Sequence, residues 1–202
     1  MERDLYQLPP GLPEPIDDGG AAHLPGAVIP DLSLPSTSGG RVALRDLAAR
    51  PAVLFFYPRT GVPGEPPGPG WDLIPGARGC TPQSCAFRDL HSSFTELGVR
   101  VAGVSTQDTG YQREFAARNH VPFDLLSDAA LGLTRALRLP TFEFPVKSGG
   151  GTTLMKRMAW YVVGGRIRKV WYPVFPPNEN AANVLGWLTS AVGPFRASEA
   201  RA

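Results

Sequence analysis

The sequence is poor in cysteine and histidine and contains no long apolar or basic run. Only two cysteines and three histidines occur among its 202 residues, which excludes the disulfide-dense scaffold of a small secreted domain. No apolar stretch approaches the length of about 18 residues that a membrane helix requires. The 20 basic and 18 acidic residues are scattered along the chain, so no basic stripe can follow a phosphate backbone. We therefore expect a protein that spans no membrane and binds no nucleic acid.

The N-terminal stretch MERDLYQLPPGLPEPIDDGG also lacks the apolar core and small-residue cleavage site of a secretory signal. This composition predicts a cytoplasmic location, where cysteines stay reduced. In such a compartment a cysteine is more often a buried apolar residue or a catalytic thiol than half of a structural disulfide. The spacing of Cys80 and Cys85 has to distinguish these possibilities.

Glycine and proline are abundant, with 23 and 22 residues, and they concentrate in two segments. Residues 1–23 show little periodicity and predict an irregular arm that either lies on the domain or hangs free. Residues 59–78 are too rich in both residues to form a helix or a central strand, and they predict a long loop insertion that leads to Cys80. The predicted organisation is an arm, one domain over residues 24–193 that carries the insertion, and a tail over residues 194–202.

The remainder of the domain alternates between strand and helix patterns. Residues 52–57 form an unbroken apolar run, which is typical of a strand covered on both faces. Apolar residues at helical spacing from Phe87 to Leu97 predict an amphipathic helix that begins near Pro82. Further strands are predicted at residues 99–105, 123–127, 159–163 and 166–172, and further helices from Thr109, over 129–137 and over 181–192. This order predicts an α/β domain with a mixed central sheet flanked by helices.

Cys80 comes directly before this helix, because Thr81 suits the N-cap and Pro82 the first helical position. The unpaired backbone N–H groups and the positive end of the helix dipole favour a thiolate there. Since the thiolate is the nucleophilic form of cysteine, Cys80 is a candidate nucleophile toward peroxides. The alternative for Cys80 alone is an inert buried cysteine.

Cys85 follows five positions later, on a different side of the same predicted helix. Five helical residues rise about 7.5 Å, which puts the two Cα atoms about 8 to 9 Å apart, beyond the limit of about 7 Å for a disulfide. The pair can therefore bridge only if the first helical turn unwinds, as a reversible catalytic disulfide would require. A permanent disulfide is disfavoured.

Metal binding is the competing interpretation, since the two cysteines, His91 and His120 carry suitable ligand atoms. Structural zinc sites usually use ligand pairs about two to four residues apart, whereas the two sulfurs would face different sides of a helix. We expect His91 to face solvent, His120 to end a helix and His23 to lie in the arm without a partner. Neither a metal nor an organic cofactor is predicted.

The stretch Gly79-Cys80-Thr81, with Cys85 and then Phe87-Arg88-Asp89, resembles the bacterioferritin comigratory, or Q-type, branch of the peroxiredoxin family. Residues 24–35 and the strand ending in Phe55-Phe56-Tyr57-Pro58 match the usual opening order of that family. The resemblance implies a thioredoxin-like fold and reduction of hydrogen peroxide or alkyl hydroperoxides through a cysteine sulfenic acid. It also implies recycling by thioredoxin or a similar dithiol protein. We expect a monomer or a homodimer.

Carried onto this sequence, the resemblance makes Cys80 the peroxidatic cysteine and Cys85 the resolving cysteine. Arg157 corresponds to a family arginine that points at the peroxidatic sulfur, where its fixed charge stabilises the thiolate and the peroxide oxygens. A solvated arginine at a strand edge is the alternative. The neighbouring Lys156 leaves the register open by one residue.

The sequence departs from the family at the active-site threonine, which should lie three residues before the peroxidatic cysteine. Ala77 stands there and has no hydroxyl group. We expect that Thr60 folds back into this role, or that Arg78 and backbone N–H groups orient the peroxide. The other predicted substrate contacts are Pro58 as a pocket wall, Thr81, and Trp71, which either lines the pocket mouth or anchors the insertion.

Two other functions fit the same features. A thiol-disulfide oxidoreductase on this fold usually presents Cys-x-x-Cys, so the wider gap between Cys80 and Cys85 counts against it. A peroxide-sensing or interaction module that has lost turnover would account for Ala77. Steady-state peroxide consumption with a dithiol reductant distinguishes them, because an enzyme turns over while a sensor oxidises once and stops.

Overall fold

The computed structural model of the protein describes residues 4–65, 68–145 and 149–191. Its strands are β1 (Ser33–Pro35), β2 (Arg41–Ala43), β3 (Ala52–Phe56), β4 (Arg100–Ser105), β5 (Asp124–Ser127), β6 (Thr141–Glu143), β7 (Thr153–Met155), β8 (Met158–Val163) and β9 (Arg166–Trp171). Its helices are α1 (Leu44–Ala49), α2 (Cys80–Asp89), α3 (His91–Glu96), α4 (Thr109–Arg118), α5 (Gly132–Ala136) and α6 (Asn180–Ala191). Short 3-10 turns cover Trp71–Leu73 and Pro177–Glu179.

β3 lies at the centre of a five-stranded sheet in the order β5-β4-β3-β8-β9. It pairs in parallel with β4 and antiparallel with β8, and β8 returns into β9 through a turn at Gly164 and Gly165. These glycines have φ angles of 60° and 70°, as a tight two-residue hairpin turn requires. The predicted α/β class and mixed central sheet are confirmed.

Alternate residues of β3 supply two apolar cores, one on each face of the sheet. Leu54 and Phe56 belong to one core, and Val53 and Phe55 belong to the other, which also holds apolar side chains of α2, α3 and α6. All five residues of β3 are buried, as expected for a strand with both faces covered. Cys80 is part of the second core, so the helix that carries it is fixed against the sheet.

The helix with the two cysteines begins two residues earlier than the sequence predicts. Its cap is Gly79, with a φ of 101°, and Cys80 is its first residue, so Thr81 is not the N-cap. Pro82 is tolerated at the third position, because the first N–H groups of a helix have no partner within it. A side chain at position 79 has no room, since a Cβ there would lie 2.3 Å from Pro177.

Two other helix details differ from the prediction. The apolar pattern around Phe87 is divided between α2 and α3, because Leu90, with φ −98° and ψ 8°, interrupts the helix. α4 begins at Thr109 as predicted, but the Asp108 carboxylate caps it by accepting a hydrogen bond from the Tyr111 N–H at 2.8 Å. Aspartate is a stronger N-cap than threonine, so the cap of α4 is Asp108 and not Thr109.

The described part of the arm, residues 4–23, contains no helix or strand and lies on the domain. The Asp18 carboxylate accepts hydrogen bonds from Lys156 Nζ at 2.6 Å and from the Tyr172 hydroxyl at 2.7 Å, and these bonds hold the Asp18 pKa far below its ordinary value. The expectation that His23 has no partner is wrong, since its Nε2 lies 2.8 Å from the Leu137 carbonyl oxygen.

The division into arm, domain and tail remains a prediction. α6 covers most of the predicted last helix, whereas the predicted helix end at residue 192 and the tail over residues 194–202 lie outside the described residues. Within the part of the chain that the structure describes, no helix is long and apolar enough to cross a membrane.

Candidate active site

Cys80 and Arg157 form the centre of the candidate site. Arg157, in the short link between β7 and β8, donates a hydrogen bond from Nη2 to Cys80 Sγ at 3.1 Å. Both residues are 3% exposed, so the guanidinium is a buried positive charge in contact with the sulfur. Lys156 points to Asp18 instead. Arg157, and not Lys156, is therefore the residue that faces the Cys80 sulfur. Arg157 is buried and is not a solvated arginine at a strand edge.

Arg157 is held by the loop that precedes Cys80. Its Nη2 also donates to the carbonyl oxygens of Ala77 at 3.2 Å and Arg78 at 3.1 Å, and its Nε donates to the Gly76 carbonyl oxygen at 3.3 Å. The end of the insertion thus fixes the direction of the guanidinium. Carbonyl oxygens are good partners for a buried cation that has to remain charged.

Gln83 completes this arrangement, and sequence reasoning missed it. Its side-chain oxygen accepts a hydrogen bond from Arg157 Nη1, and its Nε2 donates to Asn180 Oδ1 at 2.9 Å. Gln83 lies three positions after Cys80 in α2, on the same side of the helix. That spacing is the signal in the sequence that points to it.

A cavity of about 370 Å³ opens onto Cys80. Predicted site residues that line it are Cys80, Thr81, Thr60, Arg78 and Trp71, together with Ala77. Pro58 is buried and is not among the lining residues, so the prediction that it forms a pocket wall is not met by the geometry. Residues of the insertion and of the first turn of α2 therefore line the same cavity.

Thr60 reaches the cavity where Ala77 offers no hydroxyl group. Its backbone N–H and its Oγ1 donate to Gln107 Oε1 at 2.9 and 3.1 Å, and Gln107 Nε2 donates back to the Thr60 carbonyl oxygen at 3.3 Å. Gln107 follows the carboxyl end of β4, next to the central strand, where functional residues of open α/β sheets collect. Sequence reasoning missed Gln107, although its place after a strand was visible.

Trp71 has both of the roles considered for it. It is 3% exposed and packs against Phe142 and Phe144, with ring centroids 6.2 and 5.0 Å away. These contacts anchor the insertion to β6 and the residue that follows it. Trp71 also lines the cavity, so the anchor supplies an apolar wall.

Cys85 lies in the same helix, outside the cavity. Both cysteines are free thiols, and α2 is continuous between them. The Cys85 Sγ is 3.9 Å from Asn119 Oδ1, and burial raises the pKa of the Cys85 thiol. Its environment keeps the proton on the sulfur while the helix is intact.

The histidines lie apart from this site. His91 is half-buried, with its ring centroid 5.7 Å from that of Phe123, so it does not simply face solvent. His120 follows the end of α4 with a φ of 51°. Among residues 4–65, 68–145 and 149–191, no three histidine, cysteine, aspartate or glutamate side chains are grouped as a metal site would require.

The fold and the site define a thioredoxin-like protein with a cysteine–arginine centre, and the comparisons with known proteins agree. The redoxin family profile matches residues 24–185. The chain therefore belongs to the redoxin family. Residues 1–23 lie outside this match.

The similar proteins include several chloroplastic peroxiredoxins Q, which confirms the resemblance to the Q-type branch. The chain is 28% identical to the chloroplastic peroxiredoxin Q of Gentiana triflora over 166 residues, which is 82% of this chain and 67% of that protein. Its identity to the chloroplastic peroxiredoxin Q of Oryza sativa subsp. japonica is also 28%, over 82% of this chain and 66% of that one. The chain thus spans about two thirds of the length of these relatives.

Solved structures show the same fold. Peroxidoxin BcpB from Mycobacterium tuberculosis superposes with a TM-score of 0.65 and 26% identity, covering 84% of this chain and 99% of that one. Peroxiredoxin Q from Xanthomonas campestris has a TM-score of 0.63 and 24% identity, covering 82% of this chain and 98% of that one. The predicted thioredoxin-like fold is confirmed.

Proposed function

We propose that the protein is a thiol peroxidase in which Cys80 is the peroxidatic nucleophile. The observation that carries this proposal is the 3.1 Å contact between Arg157 Nη2 and Cys80 Sγ, beside a cavity that admits a substrate. A fixed positive charge in a buried site stabilises developing negative charge more strongly than the same charge would in water. Membership of the redoxin family and the peroxiredoxin Q relatives support the same chemistry.

In the first step the Cys80 thiolate attacks the terminal oxygen of a hydroperoxide, ROOH. An S–O bond forms as the O–O bond breaks, so the sulfur is oxidised to a sulfenic acid and the peroxide is reduced. The alkoxide that leaves takes up a proton and becomes the alcohol ROH, or water when the substrate is hydrogen peroxide. The Arg157 guanidinium neutralises charge on both the attacking sulfur and the departing oxygen.

Thr60 replaces the missing threonine in this proposal. Its hydroxyl proton is engaged by Gln107, which leaves the oxygen lone pairs to accept a hydrogen bond from the hydroperoxide O–H. Arg78 and Thr81 line the same cavity and contribute donors around the substrate. Thr60 is therefore a substrate-orienting residue, and Ala77 supplies no hydroxyl group to the site.

In the second step Cys85 resolves the sulfenic acid. Its thiolate attacks the Cys80 sulfur, the S–S bond forms as the S–O bond breaks, and hydroxide leaves and is protonated to water. Because a continuous helix holds the two Cα atoms too far apart for a disulfide, the first turn of α2 unwinds. A dithiol protein of the thioredoxin type then reduces the disulfide by thiol exchange and is itself oxidised.

The proposal also includes the cellular location and the oligomeric state of the protein. A cytoplasmic location, as the sequence suggests, would supply a reduced dithiol partner, and a monomer or homodimer suffices because both cysteines belong to one chain. The names of the plant relatives give a chloroplastic location for those proteins. Fractionation of the native host, with the protein detected by antibody, tests the location.

The direct test of the function is steady-state turnover. Reduced wild-type protein should consume cumene hydroperoxide continuously with thioredoxin, thioredoxin reductase and NADPH. Cys80→Ser should show no consumption above the blank, because a serine hydroxyl without a base is not ionised near neutral pH. Turnover by Cys80→Ser would refute the assignment of the nucleophile. A single oxidation of the wild type without turnover would identify a sensor instead.

A further inference from the structure

The N-terminal arm contributes a wall to the Cys80 cavity. Leu5 is among the residues that line it, and Leu5 also packs on the insertion, where a Cβ at Gly61 would lie 3.1 Å from its side chain. The arm lies outside the residues that match the redoxin family. Leu5 therefore lines the Cys80 cavity from a segment outside the part of the chain that matches the family.

Several independent contacts hold this part of the arm in place. Arg78 Nη2 donates to the Asp4 carbonyl oxygen at 3.0 Å, directly beside Leu5. Leu8 lies against Gly79, the cap of α2, where an added Cβ would be 2.7 Å from its side chain. Further along, Asp18 is bound to Lys156, the neighbour of Arg157. The start of the arm is thus attached to residues that line the Cys80 cavity, and its later part is attached to Lys156.

The wall that Leu5 supplies is apolar, and it shares the cavity with the apolar side chains of Trp71 and Ala77. Hydrogen peroxide has no hydrocarbon surface to bury against these side chains. A hydroperoxide with an aryl or branched alkyl group has such a surface, and its burial contributes about 25 cal/mol per Å². Leu5 therefore acts on one class of substrate and not on the other.

We propose that Leu5 is a specificity-determining residue that favours hydroperoxides with a bulky apolar group over hydrogen peroxide. The predicted effect of Leu5 on the rates with different hydroperoxides rests on the proposed function. The binding consequence, a Leu5-dependent site for the apolar group, stands on the geometry alone. The two consequences are measured separately.

The binding experiment uses 2-phenyl-2-propanol, the alcohol formed from cumene hydroperoxide, titrated into reduced protein and followed by NMR. Leu5→Ala should weaken binding about fivefold, since it removes a few buried methyl and methylene contacts. Leu5→Met keeps the apolar volume and should bind like the wild type. Ile16→Ala is the matched control, because Ile16 is an arm residue whose side chain is 87% exposed.

The kinetic experiment compares kcat/KM for cumene hydroperoxide and hydrogen peroxide in the same variants. Leu5→Ala should lower the ratio of the two values about fivefold, while Leu5→Met and Ile16→Ala keep the wild-type ratio. Equal alcohol binding and an equal ratio in wild type and Leu5→Ala would overturn the inference. If the wild type turns over neither peroxide but binds the alcohol through Leu5, the proposed function fails and the specificity site stands.

Discussion

Cys80 and Cys85 lie on the same helix, yet they differ in the charge beside the sulfur and in access to the cavity. Both properties affect the reactivity of a thiol. Cys80 has a buried guanidinium 3.1 Å from its sulfur and opens onto the cavity. The Cys85 sulfur lies 3.9 Å from the Asn119 amide oxygen, and burial raises the pKa of its thiol although Arg88 and Arg118 act in the opposite direction. We therefore expect the local charge to set the order of reaction, with Cys80 reacting first and Cys85 reacting after its environment opens.

The largest effect should follow from removing the second thiol. Cys85→Ser should lose thioredoxin-linked turnover, because the sulfenic acid on Cys80 then has no thiol within the chain to displace water. The first oxidation, followed by stopped-flow tryptophan fluorescence, should keep its wild-type rate. Normal recycling of Cys85→Ser by thioredoxin would show that Cys85 is not the resolving residue.

The next effect should follow from removing the charge beside Cys80. Arg157→Met should slow the first oxidation about 100-fold, the usual scale for loss of one preorganised charge-stabilising donor. Arg168→Met is the matched control, because Arg168 is an exposed arginine of β9, and it should oxidise at the wild-type rate.

A second readout guards against a purely structural effect of Arg157→Met. Alkylation of Cys80 by iodoacetamide should slow as well, because the Arg157 guanidinium contacts the attacking sulfur in that reaction too. Circular dichroism should show a folded protein. Wild-type oxidation and alkylation rates in a folded Arg157→Met protein would refute the role of the arginine.

The smallest effect concerns how the contribution of Cys85 to the free energy of unfolding depends on pH. Because burial raises its pKa, the folded protein holds the thiol proton more tightly than the unfolded chain does. This contribution to stability is fully present below the unfolded pKa and is lost as the pH rises through the folded pKa.

The test compares the single variant Cys80→Ser, which keeps only Cys85, with the double variant that carries Cys80→Ser and Cys85→Ala. Above about pH 8.5 the free energy of unfolding of the single variant should fall relative to that of the double variant. Urea denaturation on either side of that pH measures it. A difference between the two proteins that stays constant, or that grows with pH in favour of Cys85, would contradict the assigned direction.

Much of the fold was predictable, because it depends on local pattern. The buried run of β3 and the hairpin at Gly164 each follow from a few adjacent residues, and the spacing of Cys80 and Cys85 indicated the chemistry. The helix cap was missed, since the conformation of Gly79 depends on its packing against Pro177.

The supporting contacts of the site could not be predicted in the same way. Gln107 binds Thr60 across 47 residues of sequence, and Arg157 reaches Cys80 across 77. The resemblance to the family indicated Arg157, but nothing local in the sequence pairs Gln107 with Thr60. Leu5 sits in a segment without periodicity, so only the folded chain brings it to the cavity.

The most direct test of the central claim compares the two single-cysteine proteins, Cys85→Ser and Cys80→Ser. Each reduced protein receives one equivalent of cumene hydroperoxide in the presence of dimedone, which traps a cysteine sulfenic acid, and mass spectrometry measures the labelled fraction over time. We predict rapid and complete labelling of Cys80 in Cys85→Ser, and no labelling of Cys85 on the same timescale in Cys80→Ser. Equal labelling of the two thiols, or faster labelling of Cys85, would contradict the account.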